Sequence, residues 1–343
     1  MLRTPLFRRM ALASFSLLVL ALGACMPSKF VIDLDPEVGR LYEQTLVTGD
    51  NASSSSMKIA LIRVDGFIAN TPMPAPFGMA PNPTDELVRR LDMASTDPLV
   101  RGVVVVVNSP GGTITGAESM YDEIVRFRER TGKPVVVSMG EVATSGGYYV
   151  ALAGDHVYAH PTTLTASIGV LMQMFNISEG LSMIGIRARS LTSGANKAMA
   201  SPLEPEVEAH YQILQGITDE FFERFLDRVV ERRASFDRDA HQWAIDGRVM
   251  SGARAHEIGL VDDLGGVRDA FARAKELSEL DVARLVRYTP ARLRSSASPF
   301  VGSAQESATP LVHASSSIVG ESGGLGVLDL APGFYYLWVP GVN

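Results

Sequence analysis

A chain of 343 residues, 46% of them hydrophobic, has room for one large domain or two ordinary ones and does not have the composition of a disordered protein. Its formal charge of −7 comes without any long run of lysine and arginine. This argues against the clustered basic footprint that nucleic acid requires and leaves peptide, lipid or small-molecule partners.

Residues 1–24 carry Arg3, Arg8 and Arg9 ahead of the apolar stretch "MALASFSLLVLALG", and small residues precede Cys25, which is the pattern of an export signal. The stretch is short for a stable membrane span. "LGAC" resembles the lipobox of bacterial lipoproteins, so Cys25, the only cysteine, is expected to be lipidated and to hold the chain to a membrane of the cell envelope, with the folded part outside the cytoplasm. Met26 after it is not aspartate, so neither the inner nor the outer membrane is singled out. Residues 25–56 include the polar stretch "TGDNASSSS" and read as a tether, with folding expected to begin at Met57.

From there strand and helix alternate. "MKIALIRVDG", "VRGVVVVVNSPGG" and "GKPVVVSMG" read as strands, the second apolar throughout, as in a parallel sheet buried on both faces. Between the last two, "GAESMYDEIVRFRERTG" places Met120, Ile124, Val125 and Phe127 at helical spacing. A helix over "GGYYVALAG", a short strand "DHVYAH" and a turn at Pro161 follow. Pro205 opens a long helix whose stripe Ile213, Leu214, Ile217, Phe221, Phe225 and Val229 is fit for core or subunit interface. "SGARAHEIGLVDDLGG" and "GVRDAFARAKEL" complete a domain over 57–291. Residues 292–324, rich in Ser, Ala and Gly, read as a low-complexity segment. The tail 325–343, with "APGFYYLWVPG", is apolar again and is expected to dock, either as an added strand in the protein's own groove or as cover for a sheet edge. The fold class is α/β: a mostly parallel sheet with flanking helices.

"NSPGG", "TSGG" and "TLTASIG" each lie at a turn after a strand, and loops at the carboxyl ends of parallel strands line one crevice. Glycine there lets a backbone N–H approach a developing oxyanion, a role that suits Gly112 and Gly146; tight turns alone would also use glycine. A phosphate cradle fits poorly, because the spacing of phosphate- and dinucleotide-binding loops is missing. Ser145 needs a base to act as a nucleophile. None of the histidines, His156, His160, His210, His241, His256 and His313, lies in a glycine-rich loop. Between Lys133 and Lys275 the only lysine is Lys197, in a stretch that otherwise uses arginine, which stays charged and cannot accept a proton.

"NSPGG", "TSGGYYVA", "TLTASIGV", "SGANKAMASPLEP" and "GRVMSGARAHEIGLVDDLGG" resemble, in order and spacing, the signal peptide peptidase A family of serine proteases over about residues 57–280. The resemblance implies a crotonase/Clp protease-like fold and a helical oligomerisation segment. It implies Ser145 as nucleophile, Lys197 as general base, Ser167 as the hydroxyl orienting the lysine, and Gly112 with Gly146 as oxyanion hole, with no cofactor or metal. Ala198 stands where an acidic residue is common, and "TAS" replaces "TGS" before Ile168. Implied substrates are signal peptide remnants and other unfolded hydrophobic segments. Implied partners are further copies of the chain in a ring whose neighbours share sites. A lysine base must be neutral to act, which burial favours; Ala195, Ala198 and Met199 are uncharged neighbours of Lys197. A non-catalytic scaffold and a crotonase-like acyl-thioester enzyme are the alternatives.

Overall fold

The computed structural model describes residues 41–48, 53, 56–75, 78–290 and 333–337. In chain order the elements are β1 (Leu41–Thr48), β2 (Lys58–Ile68), the hairpin β3 (Met73–Ala75) and β4 (Gly78–Ala80), α1 (Pro83–Thr96), β5 (Val100–Thr113), α2 (Ile114–Thr131), β6 (Val135–Thr144), α3 (Gly146–Ala151), β7 (His156–Ala159), β8 (Leu164–Ala166) and β9 (Leu171–Gln173). There follow α4 (Ser178–Met183), α5 (Glu208–Arg232), β10 (Val249–Ser251), α6 (Gly252–Glu257), β11 (Asp263–Leu264), α7 (Val267–Leu277), β12 (Arg284–Pro290) and β13 (Gly333–Leu337). Lipidation of Cys25, the export signal and the 292–324 segment lie outside the described residues.

The sheet runs β1-β12-β2-β5-β6-β7-β11 and is parallel from β12 to β11, with β1 antiparallel at one edge. This is the expected α/β architecture. The valine run of β5 serves both faces. Val103, Val105 and Val107 join the large core with Met120, Ile124 and Phe127 of α2, while Val104 and Val106 pack with Phe271 and Ala274 of α7. Strand alternation divides one apolar run between two cores, so neither face of the central strand meets water. The helix α2 is bounded as its sequence dictates: the Thr113 hydroxyl accepts from Gly116 N, and Gly132 closes it with a left-handed φ of 65°. The stripe of α5 divides along its length, with Phe225 and Val229 fully buried in the core and Ile213 39% exposed.

The folded part begins earlier than Met57. The tether expected over 25–56 contains β1, which pairs antiparallel with β12 from Leu41↔Pro290 to Thr48↔Arg284. Its residues "LYEQTLVT" are rich in the β-branched and aromatic types that suit a half-buried edge strand.

Candidate active site

Three glycine-bearing stretches meet at one end of the sheet, but only "TSGG" is the expected turn after a strand: "NSPGG" forms the last residues of β5 itself, and "TLTASIG" holds β8. Ser109 of β5 pairs with Ala143 of β6, and Ala143 and Thr144 pair with Thr165 and Ala166 of β8. The parallel order places "NSPGG", "TSGG" and "TLTASIG" side by side, as the crevice rule predicts.

Ser145 occupies the turn from β6 into α3 with φ 53° and ψ −117°, and it is 1% exposed. A non-glycine residue at positive φ stores strain that its surroundings must hold. Here the Ser145 N–H donates to the Ala166 carbonyl at 2.7 Å, and the Ser145 carbonyl accepts from Tyr149 N at 2.9 Å. The strand-to-helix turn with a strained serine is the geometry in which α/β hydrolases present a nucleophile. Among the described residues no group hydrogen-bonds to the Ser145 hydroxyl.

Beside it Gly111, Gly112 and Gly146 form a narrow notch in which a side chain on Gly111 or Gly112 would collide with main chain. A Cβ on Gly112 would be driven into the Ile68 carbonyl and would stand 2.6 Å from Ile68 N. One on Gly146 would stand 3.2 Å from Gly112 N, and one on Gly111, whose φ is +107°, would stand 2.9 Å from Gly146 N. Two main-chain N–H groups, of Gly112 and Gly146, are thus brought to one small space, the arrangement that stabilises an oxyanion.

Ser167 follows the Ala166 that anchors Ser145. It is 6% exposed with φ 52°; its N–H donates to Arg248 O at 2.9 Å and its hydroxyl to Gly247 O at 3.1 Å. Lys197 is not brought to this group within one copy. It lies in the turns of an exposed arm over 174–207, and its side chain is exposed and makes no hydrogen bond or ion pair among the described residues. The same arm exposes Met183 (86%), Ile184 (70%) and Leu191 (94%).

Of the two dockings expected of the tail, an added strand in a groove and cover for a sheet edge, the structure shows the added strand. The strand β13 pairs antiparallel with Gly111–Thr113 on one side and with Leu171–Gln173 of β9 on the other, and the Tyr336 carbonyl oxygen enters the glycine notch, 3.0 Å from where a Gly146 Cβ would stand. The aromatic composition of the tail signals docking, but pairing partners 160 or more residues distant leave no local pattern of register. Among the described residues no group of His, Cys, Asp and Glu could hold a metal ion, and no helix is long and apolar enough to cross a membrane.

The sequence model of peptidase family S49 matches residues 128–281, a span that holds Ser145, Ser167 and Lys197 and stops short of Gly112. The chain is 31% identical over 248 residues to "Putative signal peptide peptidase SppA" of Enterococcus faecium, covering 72% of this chain and 70% of the relative. It is 36% identical over 198 residues to "Protease 4" of Salmonella typhi, covering 57% of this chain and 31% of the relative. To "Serine protease SPPA, chloroplastic" of Arabidopsis thaliana it is 30% identical over 233 residues, covering 67% of this chain and 34% of the relative. The chain therefore spans about a third of the length of the last two.

Proposed function

Because the chain belongs to peptidase family S49 and is a serine peptidase with that family's Clp protease/crotonase-like fold, we propose that it cuts peptide bonds with Ser145 as nucleophile and Lys197 of a neighbouring copy as general base. The observation that carries this reading is the strained backbone of Ser145 at the β6–α3 turn, next to a notch lined by two glycine N–H groups.

In the reaction the neutral amine of Lys197 takes the Ser145 proton as the serine oxygen bonds to the peptide carbonyl carbon. The N–H groups of Gly112 and Gly146 hold the resulting oxyanion. On collapse the C–N bond breaks, the lysine ammonium returns its proton to the leaving amine, and an acyl-serine ester remains. Water, deprotonated by the same amine, attacks the ester and frees the acid and the Ser145 hydroxyl. Ser167 turns its hydroxyl toward the lysine once the neighbour is in place.

A site shared between copies is supported by the contrast between its halves: Ser145 and the notch are buried, whereas Lys197 rides on an arm whose apolar side chains are exposed. Homo-oligomeric assembly, in a ring as the resemblance implies, covers that arm and removes the lysine from water. Substrates are signal peptide remnants and other unfolded hydrophobic segments, presented to an enzyme held by a lipid on Cys25 to the inner or the outer membrane of the cell envelope, with its catalytic domain on the periplasmic side.

Two inactive variants test the shared site. Ser145→Ala and Lys197→Ala each lower kcat by at least about 10³ while the fold persists. Mixing them under conditions of proven subunit exchange restores part of the peptide hydrolysis. Failure to restore it refutes the shared dyad, and normal activity of purified Lys197→Ala removes the lysine from the chemistry.

A further inference from the structure

Ser167 stands on a second strained turn. Ala166 at φ 64° and Ser167 at φ 52° are consecutive non-glycine residues in the left-handed region, a backbone that persists only where its surroundings fix it. The fixing partner is the segment that leads into β10. Val249 pairs with Ala166 in the ladder of β10 and β8, the Arg248 carbonyl accepts from Ser167 N at 2.9 Å, and the Gly247 carbonyl accepts from the Ser167 hydroxyl at 3.1 Å. The Ala166 carbonyl in turn accepts from Ser145 N at 2.7 Å, so one short segment stands behind both serines.

Side chains keep that segment in shape. Gly247 takes a left-handed φ of 86°, and the residues on either side of it close a clamp. The Asp246 carboxylate accepts from Arg248 N at 3.1 Å, from its Nε at 2.8 Å and from its Nη2 at 2.6 Å. The Arg248 guanidinium also lies over the Trp243 ring, 5.4 Å from its centroid. Trp243 belongs to a 3-10 turn over Gln242–Ile245 that is seated on the core through the fully buried Ala244. Hydrogen bonding to Arg248 holds the Asp246 carboxyl below the usual carboxylate range, so the clamp stays charged at neutral pH.

A carbonyl has no proton to give, and this fixes the chemistry of Ser167. The Gly247 oxygen can only accept, so the hydroxyl hydrogen of Ser167 is committed to it, and what Ser167 has left to offer a lysine is an oxygen lone pair. A neutral amine that donates an N–H to that oxygen keeps its own lone pair free, and the lone pair is the part that must take the Ser145 proton. A Ser167 hydroxyl free to swing round would place its hydrogen on the same lone pair and compete with Ser145.

We propose that Asp246, through its clamp on Arg248 and the Gly247 carbonyl, is a positioning residue for peptide hydrolysis: it fixes the direction of the hydrogen bond between Ser167 and Lys197, so that the amine lone pair is left to Ser145. This rests on the reading of Lys197 of a neighbouring copy as the base. The Asp246 and Arg248 side chains are about half exposed, so removing either leaves the core intact.

In the full-length chain, with a hydrophobic fluorogenic peptide as substrate, Asp246→Ala is expected to lower kcat about tenfold and to leave KM within about twofold, because fewer sites hold the hydroxyl in the competent direction. The acid limb of kcat/KM moves to lower pH at the same time. A hydroxyl that accepts favours the ammonium and one that donates favours the amine, so release of the clamp lowers the pKa of Lys197. Asp246→Asn, whose amide oxygen can still accept from Arg248 N and Nε, keeps at least about half of the wild-type rate. In a Ser167→Ala background the change Asp246→Ala alters kcat by less than about twofold, as it must if Asp246 acts through Ser167. A wild-type kcat with an unmoved acid limb in folded Asp246→Ala overturns the proposal. An equal loss in both backgrounds overturns it as well, since the clamp is then general support. Should Asp246→Ala fail to fold, Gly247→Ala decides the same point: a Cβ there meets nothing within 4 Å, so only the left-handed φ and the carbonyl it aims are disturbed, and a wild-type rate with an unmoved limb again overturns the proposal. Lys197→Ala separates the two levels. If it is fully active, the base and the clamp fall together; if it is inactive while Asp246→Ala behaves as wild type, the base stands and the clamp alone is struck out.

Discussion

Gly112 is held between β2 and β13, paired with Ile68 on one side and Tyr336 on the other. A methyl group there enters the Ile68 carbonyl, and backbone on that side is fixed by the parallel ladder, so Gly112→Ala should lower stability by about 3 kcal/mol in urea denaturation. Gly146 differs. Its Cβ would sit 3.0 Å from the Tyr336 oxygen and 3.2 Å from Gly112 N, contacts that neighbours can relieve by small shifts. Gly146→Ala is therefore expected to fold and to crowd the notch, lowering kcat about 10²- to 10³-fold, and a variant of normal rate would remove the notch from catalysis. Both glycines were legible in the sequence as candidates, because each stands in a glycine pair after an apolar run, although Gly112 lies within β5 and only Gly146 follows a strand. The strain at Ser145 was not legible, since a positive φ at a non-glycine residue is held by tertiary surroundings, here including the Ala166 carbonyl, and residue type does not announce it.

At the scale of elements, β1 is fastened to the sheet by its ladder with β12 and, beyond that partner, to β2 through one buried lysine. Lys58, at the start of β2, donates to Glu43 of β1 at 2.6 Å and to Asp97, which follows α1, at 2.9 Å. Burial pushes the Lys58 ammonium down, but the hydrogen bonds and charges of Glu43 and Asp97 outweigh it and raise the value. Burial likewise pushes Asp97 up, and Lys58, the Leu99 N–H and Lys133 hold it below the usual carboxylate range. The depressed Asp97 contributes stability above its unfolded pKa of about 4, lost as pH falls through the lower folded value; the raised Lys58 contributes below about 10.4, lost as pH climbs through its higher folded value. Asp97→Asn should thus cost about 1–2 kcal/mol at pH 7, and the difference from wild type should close below about pH 4. A constant difference from pH 2 to 7 would show that charge is not its source. The central strands and α2 were readable because apolar run length and helical spacing are local. β1 was masked by the polar stretch that follows it, and β12 and β13 by partners 160 or more residues away.

For the whole molecule, the arm over 174–207 is the part least explained by one copy of the chain. Leu191 at 94% exposure and Ile184 at 70% are costly in water and inexpensive against another apolar surface. Replacing both with glutamate should reduce the mass seen in sedimentation velocity to that of a single chain and lower peptide hydrolysis at least tenfold, with circular dichroism unchanged; an intact assembly would place the contact elsewhere. The slot between β5 and β9 has a further consequence. Because it is bounded by main-chain ladders on both sides, it accepts a polypeptide only as a fully stretched ribbon, with its own amides free to join those ladders. On the proposed function, a helical peptide would have to unravel before it fits, and a folded protein would have no loose ribbon to offer. Selection on that reading is a matter of backbone shape.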